Sequence, residues 1–190
     1  MKKLISSIIA IVFALNVSAY AEEKLTIEKQ LVGIVGAISG TVKTETRELK
    51  AGDKIYLNET IYAGVGAGTQ ILLLDQSTFT IGEDSEVVMD TFVFDPETND
   101  GKIVASVKQG SLKVISGLIS KKNPDSLTVE VPEGTLGSRG TEFQTIVSRG
   151  KTDTLLIGPG KNNTLGMRPG AVLVGNNLGS TLLDNPYSMA

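Results

Sequence analysis

The feature that most constrains this chain is a long succession of short β-type segments separated by Gly, Asp and Asn. From Leu31 onward, runs rich in Val, Ile, Thr and Leu alternate with turn-forming residues, which is typical of strands joined by tight turns. Period-two alternation is visible where Ile103, Ala105 and Val107 share one face. No segment of helical period is long enough for a crossover helix, so a parallel βαβ sheet is not expected.

The sequence therefore predicts an all-β fold, with an antiparallel sandwich or roll as the first choice. Short strands and frequent Gly leave a β-helix-like stack open as the alternative. At most one short helix is expected, near residues 114–122, where Asn123 and Pro124 end it. The predicted strands are 34–44, 54–56, 60–62, 69–74, 77–81, 85–94, 102–109, 111–114, 127–131, 141–147, 152–157, 171–174 and 180–183.

The amino-terminal 21 residues resemble an export signal. Lys2 and Lys3 precede an uncharged, mostly aliphatic run that ends in Ser-Ala-Tyr-Ala, the pattern of a cleaved secretory signal peptide with cleavage after Ala21. The apolar run is shorter than the roughly 20 residues of a spanning helix, so no stable membrane anchor is expected. We therefore expect a periplasmic or secreted protein.

The composition removes several classes of chemistry. The chain contains no Cys and no His, so Ser-His-Asp or Cys-His catalysis and ordinary zinc sites are not expected. The formal net charge of −3 argues against nucleic-acid binding, which needs clustered Lys and Arg. We predict no catalytic residue, no cofactor and no metal.

Two weaker chemical hypotheses depend on carboxylates. The loop 95–101 concentrates oxygen ligands, but its glycine and its twelfth position do not fit a calcium loop, which favours a solvated turn. Glycoside hydrolysis needs only two carboxylates, and no spacing singles out a pair among the candidates, which are Asp75, Glu83, Asp84, Glu86 and Asp90. Aromatic residues make up 5% of the chain, which leaves few platforms for sugar stacking.

The most unusual segment is Gly-Thr-Leu-Gly-Ser-Arg-Gly-Thr-Glu-Phe at residues 134–143, called here the closing motif. Gly within a strand marks a bulge, a corner or a close backbone approach. Its single cation, Arg139, is predicted to pair inside the fold with Glu142, Asp53 or Asp75. Loss of a buried pair would destabilise the protein by about 2–4 kcal/mol. A ligand-binding arginine is the alternative.

Several segments in order resemble the FecR domain. They are residues 36–42, 49–53, 59–61, 71–77, 81–85, 108–112 and the closing motif. The last is similar to the family's Arg-Gly-Thr-x-Phe signature. In one departure, Gln76 stands where the family usually has Gly. The structural motif residues implied by this resemblance are Gly52, Asp53, Asp75, Gly134, Gly137, Arg139, Gly140, Thr141 and Phe143.

The resemblance implies a role in protein contacts. Namesake members of the family relay a signal from an outer-membrane siderophore receptor to a cytoplasmic sigma factor. Only three residues precede the apolar run here, too few for a sigma-binding domain, so a stand-alone exported domain is expected instead.

The predicted organisation is a signal peptide (1–21), a lead-in (22–33), a FecR-like β domain (34–147) and a Gly-rich β extension (148–190). The function expected is a non-enzymatic envelope module. It would bind a protein partner or itself through exposed strand edges or the extension, in signalling or envelope assembly. The alternatives are a polysaccharide or peptidoglycan binder and, third, a sensor related to siderophore signalling.

Overall fold

The computed structural model describes residues 29–164 and 166–190. The predicted signal peptide and most of the lead-in lie outside these residues. The strands are β1 Leu31–Ser39, β2 Val42–Lys43, β3 Lys54–Tyr56, β4 Thr60–Ala63, β5 Gly68–Leu73, β6 Thr78–Ile81, β7 Ser85–Phe94, β8 Gly101–Ile115, β9 Leu127–Val131, β10 Gly134–Ser138, β11 Glu142–Ser148, β12 Lys151–Gly158, β13 Val172–Asn176 and β14 Gly179–Leu183. One helix, α1, spans Leu118–Lys122.

The strands form one mixed sheet that divides into two parts sharing β8. The first part has the order β3–β1–β5–β6–β8–β11–β12. The second has the order β2–β4–β7–β8–β9–β10–β13–β14. Because the buried apolar side chains of both parts form one cluster, the sheet closes over a shared core. The all-β prediction is confirmed, and the antiparallel ladders favour a roll over a β-helix-like stack.

Strand β8 changes partners at Gly110. Residues before it pair with β7, whereas residues from 110 onward pair with β11, and 112–115 also pair with β6. Gly110 has φ +85°, and a Cβ there would lie 2.4 Å from the Ser85 Cα. The position therefore needs glycine both for its backbone angle and for its close approach. Two separate strands were predicted on either side of Gly110, but the structure has one continuous strand.

One strand pair departs from the antiparallel expectation. β8 and β9 are parallel, with Ile103 opposite Leu127 and Ala105 opposite Val129. Parallel neighbours need a crossover connection, and here residues 116–126 with the five-residue α1 provide it. The prediction that no long crossover helix is present is confirmed, since α1 has five residues, and the turn and bend residues 123–126 complete the connection.

The apolar pattern of the strands decides which faces are buried. Alternate residues of β5, β6 and β11 are buried, and Phe79 and Phe143 are fully enclosed. Helix α1 lies within the predicted range 114–122, and its Ile119 joins the core. Within the described ranges α1 is the one α-helix, and none reaches the length and apolarity of a membrane span.

Candidate functional site

The turn between β5 and β6 contains a fully buried carboxylate, Asp75. Its Oδ1 accepts a hydrogen bond from the Ser77 amide at 3.0 Å, and its Oδ2 accepts one from the Ser77 hydroxyl at 2.9 Å. The Ile119 amide reaches the same Oδ2 at 3.4 Å. The Leu118 amide donates to the Asp75 carbonyl at 2.8 Å. Asp75 thus fixes the start of α1 to this turn, because N–H and O–H donors satisfy its oxygens.

Gly117 makes this contact possible. A Cβ at position 117 would lie 2.3 Å from both the Asp75 carbonyl oxygen and the Ser77 nitrogen, distances that no side chain tolerates. The Gly117 amide also donates to the Ser77 hydroxyl at 2.9 Å. The sequence analysis did not single out Gly117, since a glycine before a short helix ordinarily indicates only a turn.

Buried serines outside and inside the closing motif hold it in place by hydrogen bonds. The Ser116 and Ser138 hydroxyls lie 2.7 Å apart, and the Thr141 amide donates to the Ser116 hydroxyl at 3.2 Å. Ser120 of α1 donates to the Ser138 carbonyl at 2.9 Å and accepts from the Gly140 amide at 3.0 Å. Helix α1 therefore joins two distant motifs, Asp75 at its start and the closing motif alongside it.

These serines were missed at the level of sequence. Ser138 lies 22 residues from Ser116 and 18 residues from Ser120, and a lone Ser in a strand or short helix carries no distinctive pattern. The Ser116-Gly117 pair was the available sign of close packing, because small residues mark a close backbone approach.

The remaining residues of the closing motif also contribute to the fold. Phe143 is fully buried. A Cβ at Gly134 would lie 2.2 Å from the Gly175 carbonyl of β13, and one at Gly137 would lie 3.0 Å from Asp125 Oδ1. Thr141 is buried, and its hydroxyl donates to the Pro159 carbonyl at 3.3 Å. These small residues let β10 approach its neighbours closely.

Arg139 does not have the partner that was predicted. Its Nε and Nη2 donate to Asp125 Oδ1 and Oδ2, each at 3.0 Å, rather than to Glu142, Asp53 or Asp75. The side chains of Arg139 and Asp125 are 38% and 43% exposed. Glu142 pairs instead with Lys113 at 2.6 Å. The ion pair that was predicted to be buried is therefore a surface pair. Its carboxylate comes from Asp125, which lies in the turn beside the closing motif and has φ +66°.

Gly52 and Asp53 lie apart from the closing motif, in a turn against β1. The Gly52 amide donates to the Val35 carbonyl at 2.8 Å, and the Val35 amide donates to the Asp53 carbonyl at 2.9 Å. Asp53 Oδ2 accepts from the Lys50 amide at 2.8 Å. The structure thus places the predicted motif residues at three locations, and α1 connects two of them.

An ion pair between the partly exposed Arg47 and the buried Glu59 lies beside β3. Arg47 donates from Nη1 and Nη2 to the two Glu59 oxygens, at 2.6 and 3.1 Å, and Glu59 is buried. Hydrogen bonding to Glu59 raises the pKa of Arg47. Lys29 also approaches Glu59, at 3.7 Å. β3 is three residues long, and the charged side chains of Lys29, Arg47 and Glu59 lie beside it.

The loop 95–101 uses its carboxylates within the protein. Thr98 donates to Asp95 Oδ2 at 2.7 Å, and this bond lowers the pKa of Asp95. Lys122 and Asn123 donate to Asp100, each at 2.8 Å, and lower its pKa. Among the residues that the structure describes, no group of three or more acidic side chains is placed to hold a metal ion.

The residues considered for carbohydrate chemistry differ in how far they are exposed. Asp75 is enclosed and its oxygens are occupied, so it cannot reach a substrate, whereas Asp90 is exposed on β7. Phe79, Phe92 and Phe143 are buried, and Tyr187 is the one aromatic residue that is mostly exposed there. One ring does not make the shared stacking face that a glycan binder needs.

The four edge strands of the sheet differ in how they are protected. β2 and β3 are two and three residues long and carry Lys43 and Lys54. β12 is covered by residues 187–190: the Ala190 and Thr154 amides donate to each other's carbonyls, and the Leu156 amide donates to the Ser188 carbonyl. β14 pairs only with β13 among the described residues.

The hairpin formed by β13 and β14 also lacks charged residues. No Lys, Arg, Asp or Glu occurs between Ala171 and Leu183. Leu178 at its tip is 96% exposed, and Leu182 on β14 is 45% exposed. Exposed edges are ordinarily blunted by charge, Pro or a covering segment. β14 therefore has the properties of a strand that is available for pairing.

The fold is an all-β module in which the glycines, the serines and Asp75 of the motif segments make close contacts and hydrogen bonds inside the protein. The FecR protein family matches residues 59–157, more than half of the chain, and the protein belongs to that family. The β13–β14 hairpin lies outside the matched residues.

Solved structures show a distant likeness. Two crystal structures of a candidate anti-sigma factor from Parabacteroides distasonis are 12% and 11% identical to this chain, with TM-scores of 0.44 and 0.41. Each comparison covers 67% of this chain and 60% of the other, so this chain spans less than two thirds of their length. No curated protein matches the sequence.

Proposed function

We propose that the protein is an exported FecR-type interaction module that binds a strand of another polypeptide along β14. The observation that carries this proposal is that β14 is the one edge strand, of those described, that is neither short and charged nor covered. Pairing at such an edge needs only free backbone N–H and C=O groups. A chain without His or Cys is suited to this mode of recognition, because binding does not depend on reactive side chains.

The apolar side chains of the hairpin would add contact area. Leu178 and Leu182 are exposed beside the open edge, and they would be covered when a partner strand is added. Burial of apolar surface contributes roughly 25 cal/mol per Å². The partner can be an envelope protein or a second copy of this chain, and membership of the FecR family supports a role in signalling contacts.

The decisive experiment compares two matched charge insertions. Leu182→Lys places a cation on the open edge, whereas Val65→Lys places one on an 84% exposed apolar residue in the β4–β5 turn. We expect Leu182→Lys to weaken capture of the partner from periplasmic extract, or self-association in light scattering, by about tenfold or more, because edge lysines oppose strand pairing. Val65→Lys should leave both unchanged.

Thermal unfolding of both variants separates lost binding from lost folding. Retained binding by Leu182→Lys would reject the β14 edge as the binding surface. An inert monomer for the unmodified protein in both assays would reject the interaction module itself.

Export is tested separately by fractionation and mass spectrometry of the amino terminus. The proposal expects a periplasmic or secreted chain that begins at Glu22. A cytosolic chain that retains Met1 would reject the exported location without affecting the β14 result.

A further inference from the structure

A cleft of about 590 Å³ lies between the closing motif, helix α1 and the segments 158–161 and 167–171. Its volume is within the range of ligand-binding pockets. Thr141 and Glu142 line one wall, Ser120 and Lys121 a second, and the segment that leads into β13 a third. The cleft is separate from the open edge of β14, so it can be tested independently of the proposed function.

The rim of the cleft carries an excess of positive charge in a protein whose net charge is negative. Four cations and two carboxylates line it. Arg139 is neutralised by Asp125, Lys161 pairs with Asp184 at 3.0 Å, and Glu142 pairs with Lys113. Two cations, Lys121 and Arg168, form no salt bridge with any residue that the structure describes.

Arg168 is held against the backbone of Lys121, so both residues lie at the same part of the rim. Arg168 Nη1 donates a hydrogen bond of 2.6 Å to the Lys121 carbonyl oxygen. This bond leaves Arg168 Nε and Nη2 and the Lys121 ammonium available, and both residues are exposed. An arginine fork beside an ammonium suits a carboxylate, which binds such donors through charge-assisted hydrogen bonds.

The interior of the cleft is largely apolar. Ile115 and Met167 are exposed within it, and three prolines, at positions 124, 159 and 169, contribute further apolar surface. Met adapts to ligands of varied shape because its side chain is flexible and polarizable. The ligand that complements this lining carries an apolar group next to an anionic one.

We propose that this cleft binds an acidic peptide segment of a partner protein, with an apolar side chain against Ile115 and Met167 and an adjacent carboxylate on Arg168 and Lys121. An anionic membrane surface is a poorer match, because such surfaces are recognised by clusters of about four to eight basic residues. Two cations beside an apolar cleft are better matched by a single carboxylate with an adjacent apolar side chain.

The test uses a fluorescein-labelled hexapeptide of alternating Glu and Leu as the probe. Binding is followed by anisotropy with the chain from Glu22 to Ala190, and a Lys–Leu hexapeptide is the charge-reversed probe. The variant Lys121→Glu/Arg168→Glu should weaken Glu–Leu binding by about tenfold or more. The matched control, Lys102→Glu/Lys108→Glu, changes the net charge equally on exposed residues of β8 and should bind normally.

Each alternative outcome rejects a named part of the proposal. Equal binding of both hexapeptides, or unchanged binding by the Lys121→Glu/Arg168→Glu variant, would overturn the cleft as an acidic-peptide site. Stronger association with phosphatidylglycerol vesicles than with the peptide, lost in the same variant, would assign the cleft to a lipid headgroup instead. Leu182→Lys should bind the Glu–Leu peptide normally, which distinguishes this cleft from the β14 edge.

Discussion

The body that carries the FecR motif and the carboxy-terminal hairpin use their residues in opposite ways. In the body, Asp75, Ser116 and Ser138 are buried and fully hydrogen-bonded. In the hairpin, Leu178 and Leu182 are exposed and β14 has an open edge. The buried residues of the family motif therefore build the fold, whereas the uncharged β14 edge lies beyond the family match, which ends at residue 157.

This contrast teaches that a family signature need not indicate a binding site. A polar residue that is buried is retained for the hydrogen bonds it makes inside the protein, since leaving those partners unsatisfied is costly. An exposed edge strand has no such internal role. Substitutions of the buried motif residues should therefore change stability, and substitutions on the β14 edge should change pairing at that edge.

The largest effect is expected for Asp75→Ala. The Ser77 amide and hydroxyl would lose their buried acceptor, and α1 would lose its anchor, for a destabilisation of about 3 kcal/mol. Urea unfolding measures this change in the free energy of unfolding. Asp75→Asn should have a stability between those of the unmodified protein and Asp75→Ala, because the Asn side chain keeps one acceptor oxygen. Ser180→Ala in the hairpin is the control, with an expected change below about 0.5 kcal/mol. Similar losses for Asp75→Ala and Ser180→Ala would abolish the contrast between the two regions.

A smaller effect is expected for Arg139→Ala, the motif side chain that reaches the surface. Its pair with Asp125 is bidentate but more than one third exposed, and solvent-screened pairs contribute about 0.2–1 kcal/mol. This value replaces the larger loss expected for a buried pair. Arg139→Lys should recover part of the loss in urea unfolding, because the charge remains without the two-pronged geometry. A loss above about 2 kcal/mol would show that the pair acts as a buried one.

The smallest effect is a gain in stability for Gln76→Gly. Gln76 is exposed and has φ +68°, a left-handed conformation that glycine adopts without strain. Relief of that strain, less the greater unfolded-state freedom of Gly, should stabilise the protein by about 0.5 kcal/mol. Gln70→Gly in β5 is the matched control and should destabilise by about 0.5–1 kcal/mol. Thermal unfolding of both variants should show opposite shifts; shifts of the same sign would contradict the strain at position 76.

Local patterns in the sequence were sufficient where each residue's role depends on its neighbours in the chain. The apolar alternation of β6 and β8 indicated strands, and Asn123-Pro124 indicated the end of α1. The resemblance to the FecR domain also located Asp75 and the closing motif before their contacts were known. These features are local because period and turn chemistry act over a few residues.

Contacts between distant segments could not be read from those patterns. The partner of Arg139 is 14 residues away in a turn, and no pattern in the sequence favoured Asp125 over the predicted partners Glu142, Asp53 and Asp75. The serine network joins residues up to 25 positions apart. A hydrogen-bonding serine does not recur with any period in the sequence. The partners of these serine hydroxyls are therefore known only once the fold brings the strands and α1 together.

Inspection of the amino-acid order is sufficient to predict a protein built of strands that resembles the FecR domain and has few reactive side chains. The packed fold is needed to learn that β8 crosses between two parts of the sheet, that α1 joins two motifs and that β14 pairs only with β13 among the described residues. The physical reason is that strand formation follows local side-chain alternation, whereas burial, pairing partners and free edges depend on which segments meet across the core.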